Sequence, residues 1–201
     1  MEHSELLKIL KVAARLKTTD RHCWTALDRK ESVADHSWRI TLMAMLLRPQ
    51  FPEADMDKVI RMCLIHDLGE AFTGDIPTFE KSKADEAKEE RLFDGWVATL
   101  PEEIREEWVS LLAEMGALQT LEAKIYKALD KLEAVISHNE SDISTWLPLE
   151  YELQPTYGAE NVAFSPYMTE LKAQIDTWTR EKIRTESPSA DARADLTDQG
   201  Q

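Results

Sequence analysis

Apolar side chains recur at helical spacing along most of the chain, at positions i, i+3, i+4 and i+7, and turn-forming residues separate the apolar stretches. This pattern predicts an all-α helical bundle that forms one domain over residues 1–185. The predicted helices cover residues 4–16, a segment that ends at Leu47 before Pro49, and residues 56–70, 84–97, 101–116, 120–138 and 165 onward. A polar connection (17–31), a long ordered loop (139–161) and a disordered tail (186–201) complete the predicted organisation.

The same spacing predicts which side chains pack inward. Leu6, Leu7 and Leu10 lie on the expected packed side of the first helix, and Trp178 lies on that of the last. Gly116 is expected to end the helix that Pro101 begins, since glycine favours helix C-termini.

The stretch 56–70 is unusual because polar residues continue its apolar face. At 100° per residue, the face that contains Cys63 continues through His66, Asp67 and Glu70, while Leu64 and its apolar neighbours cover the other sides. Buried charges are costly unless they are paired or bind a metal. A solvated helix end with a polar cap would give the same pattern, so this stretch alone leaves both interpretations open.

Composition narrows the classes of function. Few glycines (6) and prolines (8) favour helices, and the net charge of −14 opposes binding to nucleic acid or to an anionic membrane surface. Cys23 and Cys63 are too few for a disulfide framework and indicate a reducing compartment. No run of about 18 apolar residues occurs, and the N-terminus has no leader-like pattern. These features lead us to expect a cytoplasmic protein without a membrane partner.

Two further helices carry inward polar residues. His36 heads an apolar stripe, and Asp130 is the only charge on a strip of small residues in the helix 120–138. Each residue alone is also compatible with an ordinary core histidine or a solvated helix face. Together with His66 and Asp67 they form a set of two imidazoles and two carboxylates, which suits one divalent transition metal such as Mn, Co, Fe, Ni or Zn. The set contains no thiolate, which opposes a structural zinc site there.

Two acidic residues follow the His-Asp pair at positions suited to proton transfer. Glu70 is i+4 from His66, which places its carboxyl near the ligands without making it a ligand. Asp75, in the following turn, can bind a substrate hydroxyl or assist the proton transfer. Four protein ligands leave room for water and a substrate oxygen, so hydrolysis is the expected chemistry.

The polar connection contains Arg21 and Trp24, which together can bind a phosphate and stack on a ring. An ordinary surface loop has the same composition. Lys81 and Lys83, just past the turn at Asp75, are further candidates for a phosphate contact.

Three stretches carry a resemblance to a known family: Glu31-Ser32-Val33-Ala34-Asp35-His36, His66-Asp67-Leu68-Gly69-Glu70 with Thr73-Gly74-Asp75-Ile76-Pro77, and Ala128-Leu129-Asp130-Lys131-Leu132-Glu133. Over roughly residues 5 to 180 the chain resembles the HD-domain metal-dependent phosphohydrolases, and it looks closest to their 5′-deoxynucleotidase branch.

The resemblance implies a role for each of these positions. The implied metal ligands are His36, His66, Asp67 and Asp130, and the implied catalytic residues are Glu70 and Asp75. Arg21 and Trp24 correspond to the residues that recognise phosphate and sugar, with a spacing similar to that of eukaryote-type members. A helical bundle and a homodimer are also implied.

The expected function is therefore a metal-dependent hydrolase that removes the 5′-phosphate from (deoxy)nucleoside monophosphates. Two alternatives stay open at this point. One is a hydrolase of another phosphorylated metabolite, such as a nucleoside triphosphate or a guanosine polyphosphate. The other is a helical regulatory protein that holds a metal.

Overall fold

The computed structural model describes residues 1–25 and 29–187. Its helices are α1 (His3–Ala13), α2 (Val33–Leu47), α3 (Met56–Ile65), α4 (Glu70–Thr73), α5 (Lys83–Val97), α6 (Glu102–Ala117), α7 (Leu121–Glu140), α8 (Glu150–Leu153) and α9 (Pro166–Glu186). Short 3-10 turns cover Ala14–Lys17, Arg48–Gln50, Ile143–Thr145 and Glu160–Val162. The predicted all-α class is confirmed.

Helix α7 lies at the centre of the bundle. It packs against α2, α3, α6 and α9, and its buried residues include Ile125, Leu129 and Leu132. Helices α2 and α3 also contact each other. The elements that bear the predicted metal ligands therefore meet in one part of the core.

A capping box fixes the start of α2. The Ser32 side chain accepts a hydrogen bond from the backbone N–H of Asp35 (3.1 Å), and the Asp35 carboxylate accepts one from the backbone N–H of Ser32 (2.9 Å). Such reciprocal bonds satisfy N–H groups that have no partner within the helix. They place His36 in the first turn of α2, with its side chain facing the core.

The prediction that the polar connection 17–31 is a loop is wrong for most of the described residues in that range. Strand β1 (Asp20–Trp24) pairs antiparallel with β2 (Lys30–Ser32), and an irregularity interrupts the register between Asp20 and Trp24. These strands are too short to show a clear alternation in sequence, and β1 depends on packing against α7. Residues 26–28 lie outside the described part of the chain.

The predicted helix 56–70 ends five residues early, at Ile65. After it, the backbone N–H of Leu68 bonds to the carbonyl of Ile65 (3.2 Å) and that of Glu70 bonds to the carbonyl of Asp67 (3.0 Å). These i→i−3 bonds form tight turns before the short helix α4. Leu64 is 50% exposed, so the expectation that this helix is buried nearly all round is wrong on that side.

Two packing predictions and one helix-end prediction are wrong. Leu6, Leu7 and Leu10 are exposed, and Trp178 is 42% exposed, because no described element covers these faces of α1 and α9. Helix α6 continues through Gly116, and Leu118 with φ 51° forms its left-handed end instead. Helical periodicity indicates an apolar face but not whether a neighbour covers it.

The segment after the bundle is only partly within the described residues. Helix α9 includes Glu186, one residue into the predicted tail, and residues 188–201 lie outside the described range. The boundary at residue 185 stays a prediction. In the described ranges, no helix combines the length and apolar character that crossing a bilayer requires.

Candidate functional site

The four predicted metal ligands converge from separate elements. Measured between donor atoms, His66 Nε2 lies 2.9 Å from Asp67 Oδ2 and 3.3 Å from His36 Nε2. The Oδ1 atom of Asp130 lies 3.4 Å from His36 Nε2 and 4.0 Å from His66 Nε2. Two nitrogens and two carboxylates therefore surround one point, as the ligands of a metal ion do.

Both imidazoles are oriented by their other ring nitrogen. His66 Nδ1 lies 2.9 Å from the backbone carbonyl of Cys63, and His36 Nδ1 makes a short contact with the buried carboxylate of Glu133. An acceptor at Nδ1 fixes the proton there and leaves the Nε2 lone pair free, which is the usual arrangement of a metal-bound histidine. The donor set and its orientation fit a divalent ion.

A buried polar layer supports His36. Ser137 Oγ lies 2.7 Å from Glu133 Oε1 and 2.8 Å from Glu31 Oε1. Glu31 also accepts a hydrogen bond of 3.0 Å from Arg21 Nε. This chain of contacts links the β-hairpin to α7 behind the ligands.

Electrostatics at the cluster favour anionic carboxylates. Burial acts to raise the pKa of Asp130, but Lys127 and His36 hold it well below its usual range. Burial likewise opposes ionisation of Asp67, whose pKa is nevertheless lowered by the neighbouring His66. Burial and Arg21 oppose a charge on His36, yet Asp130 and Glu133 raise its pKa to about 9. These carboxylates together attract positive charge, whether a proton or a metal ion supplies it.

Glu70 and Asp75 stand beside the ligands. Glu70 is 5% exposed, and burial together with the charges of Asp67 and Asp75 raises its pKa to about 10. Its Oε2 atom has no hydrogen-bond partner among the described residues. Burial also raises the pKa of Asp75, which follows Gly74, a residue whose φ of 78° is readily adopted only by glycine. A buried, neutral carboxyl next to a metal-type cluster is suited to proton transfer.

Asp67, Glu70, Asp75 and Asp130 line one cavity of about 260 Å³, whereas His36 and His66 are not among the described residues that line it. Arg21 and Lys81 line it, with Arg21 Nη1 3.6 Å from Asp67 Oδ2 and Lys81 Nζ 2.7 Å from Glu89 Oε2. Trp24 and Lys83 are not among the described residues that line this cavity. Their predicted substrate contacts therefore lack geometric support.

Trp24 and Lys83 sit elsewhere for identifiable reasons. Trp24 ends β1, and its ring lies 5.8 Å from Lys30 Nζ on the neighbouring strand. Lys83 is exposed on the first turn of the surface helix α5. Proximity in sequence to Arg21 and Asp75 did not place them at the cavity.

The sequence interpretation missed two lysines and a carboxylate. Lys127 Nζ lies 2.8 Å from Asp130 Oδ2, Lys131 Nζ lies 3.7 Å from the same atom, and both lysines line the cavity. Glu133 orients His36. Lys127 and Glu133 lie three residues before and after Asp130, and this i±3 spacing was the signal available in the sequence.

Comparison with known proteins agrees with this geometry. The family model described as HD domain matches residues 13–172. A mouse protein named 5′-deoxynucleotidase HDDC2 is 30% identical over 187 residues, covering 90% of this chain and 92% of the relative. The Dictyostelium discoideum protein of the same name is 32% identical over 162 residues, covering 76% and 80%.

A solved structure shares the fold. The crystal structure of a predicted metal-dependent phosphohydrolase from Magnetospirillum magnetotacticum MS-1 superimposes with a TM-score of 0.71 at 25% identity, covering 90% of this chain and 95% of that one. The family-model match, the helical bundle and the converging histidines and aspartates agree. The chain belongs to the HD domain family.

Proposed function

We propose that this protein is a metal-dependent hydrolase that removes the 5′-phosphate from (deoxy)nucleoside monophosphates. The observation that carries the proposal is the convergence of His36, His66, Asp67 and Asp130 beside the buried carboxyl of Glu70. Asp67, Asp130 and Glu70 line a cavity to which basic side chains also contribute. The names of the mouse and Dictyostelium relatives support the same substrate class.

The four ligands would hold one divalent transition metal, with Mn, Co, Fe, Ni and Zn as the candidates for this donor set. Such an ion, when bound, polarises a phosphate oxygen and lowers the pKa of a water molecule. Glu70 is placed to hold or release the proton of the attacking water, and Asp75 is placed to assist it.

Basic residues of the cavity complement a phosphate group. Arg21 offers guanidinium donors next to Asp67, and Lys81 and Lys127 also line the cavity and add positive charge. Their charge would stabilise the negative charge on the phosphate oxygens during displacement. We propose Arg21 and Lys81 as substrate-binding residues from the sequence, with Lys127 added from the structure.

Cavity size favours this substrate over the phosphohydrolase alternatives. A volume of about 260 Å³ is below the usual range of roughly 300–1,000 Å³ for ligand pockets. A monophosphate is the smaller ligand, whereas a nucleoside triphosphate or a guanosine polyphosphate requires more space and more positive charge. The regulatory interpretation gives no reason for a buried carboxyl beside the cluster whose Oε2 atom has no hydrogen-bond partner among the described residues.

The test is phosphate release from a panel of deoxy- and ribonucleoside 5′-monophosphates, nucleoside triphosphates and guanosine polyphosphates, with each metal and with chelator. We expect release from monophosphates that chelator and Asp67→Ala abolish. Glu70→Gln should retain metal and fold but lose about 10²–10⁴-fold in kcat. The matched control is Glu103→Gln, the same change at an exposed position on α6.

Two outcomes would contradict the proposal. Turnover of only the triphosphates or the polyphosphates would favour the other phosphohydrolase activity. A wild-type protein that binds metal but hydrolyses none of the panel, and whose properties Glu70→Gln leaves unchanged, would favour the regulatory interpretation.

We also propose a homodimer in the cytoplasm. Helix α2 presents a stripe of exposed apolar residues on the side opposite its buried face. The stripe consists of Trp38, Leu42, Met45 and Leu46. Contiguous exposed apolar surface is typical of protein interfaces. Sedimentation should show a dimer that Met45→Glu dissociates, whereas Glu103→Gln should leave it intact.

The proposed cytoplasmic location is supported by the cysteines. Both Cys23 and Cys63 are free thiols, which is typical of proteins in a reducing compartment.

A further inference from the structure

A second group of metal-ligating side chains lies at another part of the same cavity. It consists of His22 from β1, His138 from α7 and Glu150 from α8, and all three line the cavity. The Oε1 atom of Glu150 lies 2.8 Å from His138 Nε2 and 3.4 Å from His22 Nε2. The proposed function assigns no role to these residues.

We infer that His22, His138 and Glu150 form a second divalent-metal site, of a type suited to Zn²⁺. Their ligand atoms lie within 4.8 Å of one another. The spacing matches that of the first cluster, where corresponding nitrogen–oxygen distances run from 2.9 to 4.0 Å. Both clusters place imidazole Nε2 atoms and a carboxylate oxygen around one point.

The geometry between His138 and Glu150 is that of two ligands around a shared ion. His138 Nε2 is buried and 2.8 Å from Glu150 Oε1, yet it makes no hydrogen bond of acceptable angle with any described residue. A proton shared by the two groups would favour a near-linear arrangement. Ligands of a metal instead approach it from different directions, so their mutual contact is not linear.

Backbone contacts orient the ligands of the second group as they do in the first. His138 Nδ1 lies 2.8 Å from the carbonyl of Ala134, which is the same kind of contact that His66 Nδ1 makes. Glu150 Oε2 accepts a hydrogen bond of 2.7 Å from the backbone N–H of Leu147, which leaves Oε1 for the site. Such contacts raise metal affinity by fixing the ligands in advance.

Two neighbours can complete the coordination shell. Cys23 is buried and lines the cavity, and its thiol donates a hydrogen bond of 3.5 Å to the carbonyl of Trp24, so its sulfur is a neighbouring candidate ligand. Gln154 is 4% exposed and lines the cavity, and its Oε1 atom has no partner among the described residues. Two imidazoles, a carboxylate and a thiolate form a tetrahedral set of the kind that zinc prefers.

One ion cannot serve both groups. Asp130 and His138 are eight residues apart on α7, which corresponds to roughly 12 Å along a helix. The second site also has a route to solvent, because the side chain of His22 is 23% exposed. Zinc binding at this second site does not depend on the proposed phosphatase activity, since it involves only these residues and an ion.

The test is metal content after removal of bound metal by chelator, reloading with Zn²⁺ and dialysis. We expect about two zinc ions per chain for the full-length wild type, about one for His138→Ala or Asp67→Ala, and none for the double variant. His3→Ala is the matched control, because His3 is exposed on α1, and it should keep both ions.

Two further variants keep the test decisive if His138→Ala does not fold, as judged by circular dichroism. Glu150→Gln preserves an acceptor for Leu147 but removes the charge, and it should also lose one ion. Cobalt loading should give a thiolate-to-metal charge-transfer band that Cys23→Ser abolishes. A wild-type protein that binds only one ion, or a second ion that survives both His138→Ala and Glu150→Gln, would overturn the inference.

Discussion

The contact between His36 and Glu133 offers a test of how a buried carboxylate controls metal affinity from outside the ligand set. Both side chains are fully buried, and the Glu133 carboxylate accepts from His36 Nδ1. Glu133→Gln keeps the size and an acceptor oxygen but removes the negative charge. The substitution therefore isolates the electrostatic part of the contact.

The magnitude follows from the type of hydrogen bond. A hydrogen bond to a charged group contributes about 1.5–3 kcal/mol and a neutral one about 0.5–1.5 kcal/mol. Glu133→Gln should therefore weaken the free energy of metal binding by about 1–1.5 kcal/mol. This corresponds to roughly a tenfold loss of metal affinity. Glu133→Ala also leaves the buried Nδ1 without a partner, and its loss should approach about 100-fold.

The assay is calorimetric titration of chelator-treated protein with Mn²⁺, carried out in the His138→Ala background so that only the first site is titrated. We expect kcat at saturating metal to change much less than metal affinity, because Glu133 acts through His36. Glu140→Gln is the matched control, since Glu140 is also on α7 but is 45% exposed and pairs with Arg39. Wild-type Mn²⁺ affinity in a folded Glu133→Gln protein would refute the reasoning.

Three more predictions concern the cap of α2, a pair of glycines and a basic residue of the cavity. Burial acts to raise the pKa of Asp35, but hydrogen bonds with Arg29 and with Ser32 at the start of α2 lower it below its ordinary value. Its stabilising effect is therefore present above the unfolded pKa and lost as pH falls through the folded one. In urea unfolding, Asp35→Asn should lower the free energy of unfolding by about 0.5–1 kcal/mol at pH 7 and by little at pH 3. An equal decrease at both pH values would contradict this prediction. Gly158 has φ 76°, and an added Cβ would lie 2.7 Å from Lys131 Cβ, so Gly158→Ala should lower Tm. Gly95 is the comparison, because it lies on α5 with open space around it. Gly95→Ala should increase the free energy of unfolding by about 0.5–1 kcal/mol. Arg21→Lys should lower kcat/KM by about 10–100-fold, because lysine cannot make the paired contacts of a guanidinium; an unchanged value in steady-state kinetics would remove Arg21 from substrate binding.

Periodicity indicated which polar residues face the core, because it determines which residues of a helix share a face. His36 heads an apolar stripe, so its inward direction follows from the order of residues. The pattern gave the direction of His66 and Asp67 as if the helix continued to residue 70, whereas they lie in the tight turns that follow Ile65. Asp130 was harder to assign, since its face could be solvated or packed. Its burial was decided by the elements that pack around α7.

Local sequence also determined the caps and most helix bounds. Ser32 and Asp35 form a capping box because their spacing matches the first turn of a helix. The end of α3 was not predictable in this way. The apolar pattern continues past Ile65, and the tight turns that follow it arise where the His66-Asp67 pair is directed at the cluster.

Tertiary structure alone decided which distant residues became neighbours. His22 lies far in sequence from both His138 and Glu150, and no periodicity relates a strand residue to two helices. The exclusion of Trp24 from the cavity has the same origin, since it depends on how the hairpin packs against α7. A sequence pattern reports the direction of a side chain relative to its own element, whereas a site depends on how separate elements pack, and that is set by the whole core.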